Sequence, residues 1–196
     1  MSKGGDTRAA ILGEATRLAS RIGLDGLTIG SLATQTQLSK SGLFAHFRSK
    51  ESLQLHVLEH TTARFMDAVV VPTLAAPRGE PRLRELFERW LTWSSEALPG
   101  GCLFISASIE FDDRPGTVRD YLMRNQRDWV DMIVQVVRSA VAEGHLRGDT
   151  DPDQFAQDLY GVILACHHAN RLLRDPAAHT RARRAFEVLL AAVTAH

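Results

Sequence analysis

Cysteine is scarce in this chain of 196 residues: Cys102 and Cys166 stand alone, with no CxxC pair and no cysteine–histidine spacing that suits zinc. A disulfide framework and a structural zinc site are both excluded as organising principles, and a reducing compartment is expected. Long apolar runs are missing too. With no N-terminal hydrophobic stretch and no segment near about twenty apolar residues, neither export nor a membrane span is expected, and the reading is cytoplasmic. Net charge is absent: 23 lysines and arginines balance 23 acidic residues, so the protein as a whole is not drawn to nucleic acid. Aromatic residues make up only 7%, yet the apolar fraction of 44% supports one or two modest domains with a real core. There is no internal repeat or low-complexity run.

Catalytic patterns are equally thin. His167 and His168 are adjacent, so on a helix they face different sides and do not chelate one metal as an i, i+4 pair does. No Glu-x-x-His pair occurs, and Gly100-Gly101-Cys102 lacks the lysine and spacing of a phosphate loop. That triplet reads as a helix break before a buried cysteine, and nothing beside Cys102 in sequence lowers its thiol pKa. No catalytic residue, metal or cofactor is expected, and the chain is not read as an enzyme.

What is present is an uneven distribution of charge. Through residue 50 there are seven basic residues (Lys3, Arg8, Arg17, Arg21, Lys40, Arg48, Lys50) against three acidic ones (Asp6, Glu14, Asp25), so a basic head precedes an acidic body. That asymmetry suits a protein of which only the head touches DNA. Within the head, Thr28 to Lys50 reads TIGSLATQTQLSKSGLFAHFRSK. Thr28 caps one short helix, whose Ile29, Leu32 and Ala33 share a face; Ser39 caps a second, in which Leu43 and Phe47 lie four apart. Thr36, Gln37 and Leu38 leave room only for a turn. Two short helices so joined cross steeply, and the leading end of the second, Ser39, Lys40, Ser41 and Gly42, is free to enter a major groove. Gly42 costs about 1 kcal/mol in a helix, which is explained by close approach to another backbone or a base edge, or else merely tolerated. Ser49 caps a third helix, and Lys50 sits at its positive end, where a phosphate would be bound well by the lysine and the free N–H groups.

Taken together, Gly23, Thr28, Ile29, Leu32-Ala33, Leu38-Ser39-Lys40, Leu43-Phe44, His46-Phe47 and Ser49-Lys50-Glu51 resemble the TetR family of transcriptional repressors, without a gap, over about a quarter of the chain. The resemblance implies a DNA-contacting set of Thr28, Ser39, Lys40, Ser41, Gly42, Phe44, His46 and Lys50. Two positions depart from the family. Gln37 replaces its usual glycine, so the turn is expected to take a conformation open to a side chain, and Phe44 replaces a tyrosine whose hydroxyl reaches phosphate. On these departures, a helical ligand-binding protein that no longer reads DNA is the rival reading, and an all-helical enzyme comes third.

The fold class expected is all-α, with about nine helices: a helix-turn-helix domain over residues 1–50 and a larger helical domain over 51–196. The first few residues, with Gly4-Gly5, should fray. The first helix should run from about Thr7 to a Gly23 C-cap, with Ile11, Ala15, Leu18 and Ile22 inward. A long fourth helix from Ser49 to about Val70 should stop at Pro72. Further helices are expected from Leu83 (Leu83, Leu86, Phe87, Trp90, Leu91, with Trp93 flanking), from Leu103 to Phe111, from Thr117 to Glu143, from an Asp151 cap with Gln154 at the capping-box position, and from Thr180 to Val193. Asn125 and Gln126 lie close to an apolar stripe and need partners from neighbours or a ligand, and Glu110 should pair with a core arginine or a cationic ligand.

The aromatic residues of the middle helices should mostly be core, but the resembled family binds an inducer between such helices. On that implication Trp90, Phe104, Phe111, Gln126 and Trp129 are the expected ligand-binding residues. The last two helices could either finish the monomer core or join two subunits; the resemblance implies a homodimer through them, with Phe155, Leu159, Val162, Cys166, Phe186 and Leu190 at the interface. The implied function is a ligand-responsive repressor that binds a palindromic double-stranded DNA operator as a homodimer and releases it when a small-molecule inducer, whose identity the residues do not specify, is bound. No membrane partner is expected.

Overall fold

The computed structural model describes residues 3–195, with side chains from residue 7 onward. The described residues are all-α, ten α-helices and one π turn, with a single isolated bridge between Leu146 and Thr194. No described helix is long and apolar enough to cross a membrane. The chain divides into two compact units that do not follow chain order: Met1–Arg64 with Leu98–Asn125, and Phe65–Ala97 with Gln126–His196.

The first unit holds α1 (Lys3–Ile22), α2 (Ile29–Thr36), α3 (Lys40–Phe47), all of α4 (Lys50–Phe65) but its last residue, α7 (Leu103–Glu110) and the opening of α8 (Thr117–Ala142). Met1 and Ser2 lie outside the described residues, and Gly4 and Gly5 fall within α1, which begins at Lys3. Gly23 ends it at φ 83°, the left-handed cap expected. The inward face of α1 is rotated from the expected stripe. Ile11, Ala15, Thr16, Ala19 and Ser20 are buried, whereas Ile22 is 46% exposed. The reason lies in the Pro99-Gly100-Gly101 break. Gly100 donates its N–H to Ser20 Oγ at 3.1 Å, and a Cβ on Gly100 would lie 1.5 Å from the Ser20 carbonyl oxygen. The two polar residues tolerate burial because Thr16 donates to Leu12 O and Ser20 to Arg17 O, each at 2.8 Å.

The second unit holds the π turn Met66–Val70, α5 (Val71–Ala75), α6 (Glu80–Glu96), α8 from Gln126, α9 (Pro152–Arg171) and α10 (Ala178–Ala191). Pro72 does not stop the helix as expected. The backbone widens into a π turn just before it, and α5 follows directly with the proline in its first turn. Gly79, at φ 87°, leads into α6, whose Glu80 N–H is capped from outside by His145 Nδ1 at 3.0 Å. Leu83, Leu86, Phe87, Trp90, Leu91, Trp93 and Ser94 are all buried on α6. Asp151 caps α9 by accepting from the Asp153 and Gln154 N–H groups, while the Gln154 side chain turns to Asp158 instead of closing a capping box. Leu173 lies beyond the end of α9 and is 63% exposed.

Candidate nucleic-acid interface

The helix-turn-helix is built by its caps. Thr28 and Ser31 close a reciprocal capping box, each side-chain oxygen accepting the other's backbone N–H at 2.9 Å. Ser39 Oγ accepts from Gly42 N–H at 3.1 Å to start α3, and Ser49 Oγ from Ser52 N–H at 3.0 Å to start α4. A Cβ at Gly42 would meet Ser39 Oγ at 3.0 Å, so the glycine spares the cap a tight contact. Between α2 and α3, Gln37 stands at φ 57°, ψ 23°. The turn thus takes a left-handed conformation that a residue with a Cβ can enter, at a cost of about 1–2 kcal/mol.

On α3, Leu43 and Phe47 are 1% and 0% exposed and fasten the helix to its unit. Ser39, Lys40, Ser41, Gly42, Phe44 and His46 are exposed, so six of the expected DNA-contacting residues share one short free surface. Phe44, 57% exposed, presents a bare ring there. Thr28 is half-buried and committed to its cap. Lys50 is exposed, but its Nζ donates to Asp25 Oδ1 at 2.9 Å. The Lys50 ammonium, and after it the Arg114 guanidinium, hold the Asp25 carboxyl below the ordinary carboxylate range.

The connection behind α1 is held by two long-range polar contacts. Gln54 Nε2 donates to Leu24 O at 2.8 Å, and Glu110 accepts from the Leu24 and Asp25 N–H groups at 3.2 and 2.7 Å. Glu110 thus pairs with backbone rather than with an arginine or a cationic ligand, because the N–H groups just past the end of α1 have no helical acceptor. Asn125 likewise finds a neighbour, donating to Thr62 Oγ1 at 3.2 Å.

Three expected ligand-binding residues meet in the second unit. The rings of Trp90 and Trp129 lie 5.1 Å apart, Tyr160 stacks obliquely on Trp90 at 5.2 Å, and its hydroxyl donates to Gln126 Oε1 at 2.5 Å. Phe65 joins them, 4.8 Å from Trp129 and 5.3 Å from Trp93. Phe104 and Phe111 belong to the first unit, where both are buried and Phe111 lies under the Arg114 guanidinium. Sequence reasoning left Tyr160 and Phe65 out. Their place at helix spacing marks them only as inward, without saying against which neighbours. The indole N–H groups of Trp93 and Trp129 are buried without a hydrogen-bond partner among the described residues.

The expected dimer residues need correction. Phe155, Leu159, Phe186 and Leu190 are 4%, 0%, 2% and 1% exposed within the single chain, so they have no surface left for a partner. Phe186 stacks on Phe87 at 4.2 Å. The opposite faces of α9 and α10 instead form an open groove of about 960 Å³ lined by Gly161, Val162, Ala165, Cys166, Val188 and Leu189 among others. Val162 and Cys166 alone of the six border it. Burial pushes the Cys166 thiol up.

Comparison with known proteins bears on the whole chain. Residues 11–57 match the family described as bacterial regulatory proteins, tetR family, and residues 79–186 match the tetracyclin repressor-like C-terminal domain. The chain is similar to the HTH-type transcriptional repressor NemR of Escherichia coli, 24% identical over 173 residues that cover 87% of this chain and 86% of that protein. In fold it is similar to a transcriptional regulator from Cytophaga hutchinsonii, with a TM-score of 0.85 at 19% identity over 100% of this chain and 98% of that one. It is also similar to AibR, solved in complex with isovaleryl coenzyme A and operator DNA, with a TM-score of 0.68 at 22% identity over 81% and 84% of the two chains.

Proposed function

We propose, for a chain that belongs to the TetR family of bacterial regulatory proteins, that it is a homodimeric repressor which reads a palindromic operator through α3 and releases it when a small molecule binds the helical body. In domain terms, residues 1–50 read DNA and residues 51–196 bind ligand and dimerise. The observation that carries the reading is α3: buried Leu43 and Phe47 fix its inner row, and its free surface holds Lys40, two serine hydroxyls and a helix N-terminus. These are the groups that contact phosphates and base edges.

Dimerisation runs through the outer groove of α9 and α10, where small residues let two helix pairs approach closely and Val188, 63% exposed, supplies apolar surface. Val188→Glu should then yield monomers in sedimentation; an unchanged mass would exclude this face. For the ligand, the cluster of Trp90, Trp129, Gln126 and Tyr160 favours a largely apolar molecule, and the two unpartnered indole N–H groups favour one that carries carbonyl-type acceptors. Tenfold release of DNA asks for about 1.4 kcal/mol of differential ligand binding between the two states.

The test is selection of duplexes from a random pool, followed by salt-dependent binding. A two-fold symmetric motif, lost steeply with salt and weakened by a Lys40→Ala, Lys50→Ala double substitution, is the expected result. Equal affinity of the double variant and the wild type would remove α3 and the start of α4 from the DNA contact.

A further inference from the structure

The charges around the start of α4 are arranged as a competition. Asp25 gives one carboxylate oxygen to Lys50 at 2.9 Å and the other to Arg114 at 2.7 Å. None of the three is sealed away, their side chains being 43% exposed for Lys50 and Asp25 and 55% for Arg114. Arg114 is steadied from behind: its guanidinium lies over the buried Phe111 ring at 5.8 Å, and its own N–H donates to Phe111 O at 3.3 Å. Next to Lys50, Glu51 accepts the Thr117 hydroxyl at 2.5 Å, so the α7–α8 connection and the first turn of α4 wall one cleft of about 300 Å³.

We infer that Asp25 and Arg114 are positioning residues that set how freely Lys50 engages a DNA phosphate, an inference that rests on the DNA-reading function proposed above. A phosphate and Asp25 need the same ammonium. Asp25 unopposed would hold Lys50 back and repel the phosphate; Arg114 on its second oxygen neutralises that carboxylate and releases Lys50. Because Arg114 stands on the loop between α7 and α8, any rearrangement that parts it from Asp25 lowers DNA affinity without touching α3. The loop is thereby a lever on phosphate binding, acting within a Debye length of about 10 Å.

A double-substitution cycle tests it, read by fluorescence anisotropy on a duplex that the wild-type protein enriches from a random pool, at about 0.1 M salt. Arg114→Ala should weaken binding about fivefold and Asp25→Asn should tighten it about fivefold, on the scale of exposed ion pairs summed over two half-sites. Arg114→Lys should restore most of the loss, and Asp25→Asn with Arg114→Ala should bind like Asp25→Asn alone. If Arg114→Ala costs as much in the Asp25→Asn background as in the wild type, Arg114 acts on DNA or on the fold directly, and the inference falls while DNA reading stands. Failure of Arg114→Lys to restore binding also overturns it, since charge would not be the agent. Wild-type protein that binds no duplex even at low salt overturns the function and the inference together.

Discussion

Both units have apolar cores, but they are finished by different contacts. In the first, the short helices α2 and α3 bury two residues each, Leu32 with Ala33 and Leu43 with Phe47. Their placement is completed at helix ends by polar contacts: Glu110 and Gln54 on the loop after α1, and Ser20 on Gly100. In the second, α6 alone buries seven residues, and rings meet rings: Phe87 on Phe186, Phe65 and Trp90 on Trp129, and Tyr160 on Trp90. With two buried residues each, α2 and α3 present a narrow apolar face, so hydrogen bonds and charges help to orient them. Apolar packing is strong but indifferent to small changes in charge, whereas a hydrogen-bonded arrangement responds to them. The unit that meets DNA in our reading is the one built to respond.

The comparison can be broken most forcefully in the second unit. Phe87→Ala removes a ring that is 1% exposed and stacked on Phe186, and should cost about 3–5 kcal/mol in urea unfolding. A loss below about 1 kcal/mol would mean that this packing is not what holds the unit. Glu110→Ala, which strips two backbone N–H groups of their acceptor, should cost about 1–3 kcal/mol. Its signature is local: amide exchange should accelerate at Leu24 and Asp25 and stay unchanged in α9, and uniform acceleration would contradict the view that the contact fixes one loop. Gln37→Gly should raise stability by about 0.5–1 kcal/mol, the relieved left-handed strain less the added freedom of the unfolded chain. No gain in the thermal midpoint would show that the turn is unstrained.

The smallest effect is on pH. Asp25 is held below its ordinary value of 3.8 in the folded protein, so its ion pairs contribute fully above that pH, and the contribution is lost as pH falls through the lower folded value. Asp25→Asn should therefore differ from the wild type in stability at neutral pH, with the gap closing only in the acid limb. Because the group is largely exposed, the gap should be small; parallel curves down to the acid limb and beyond would exclude the pairing.

Much of the helix-turn-helix was legible in the chain. The Thr28, Ser39 and Ser49 caps, the Gly23 stop, and the Leu43 and Phe47 anchors all follow from groups within four residues of one another. Of the residues gathered around Trp90 and Trp129, the sequence singled out Trp90, Gln126 and Trp129 but not Tyr160 and Phe65. Four of the six expected dimer residues turn inward within the single chain, for an instructive reason. Phe155, Leu159, Phe186 and Leu190 are the most apolar row of their helices, and the most apolar row goes to the chain's own core. What remains for a partner is the smaller and more mixed row of Gly161, Ala165 and Val188.

By itself, then, the amino-acid sequence determined where most helices begin and end and which residues turn inward, since caps, glycine stops and apolar spacing are local matters settled within a turn or two of chain. Only the tertiary structure decided what those residues meet. Glu110 on the amides after α1, Lys50 and Arg114 on the two oxygens of Asp25, and Gly100 against Ser20 are not local choices. They depend on distant segments arriving together, and helical periodicity records that a side chain is buried without recording against what.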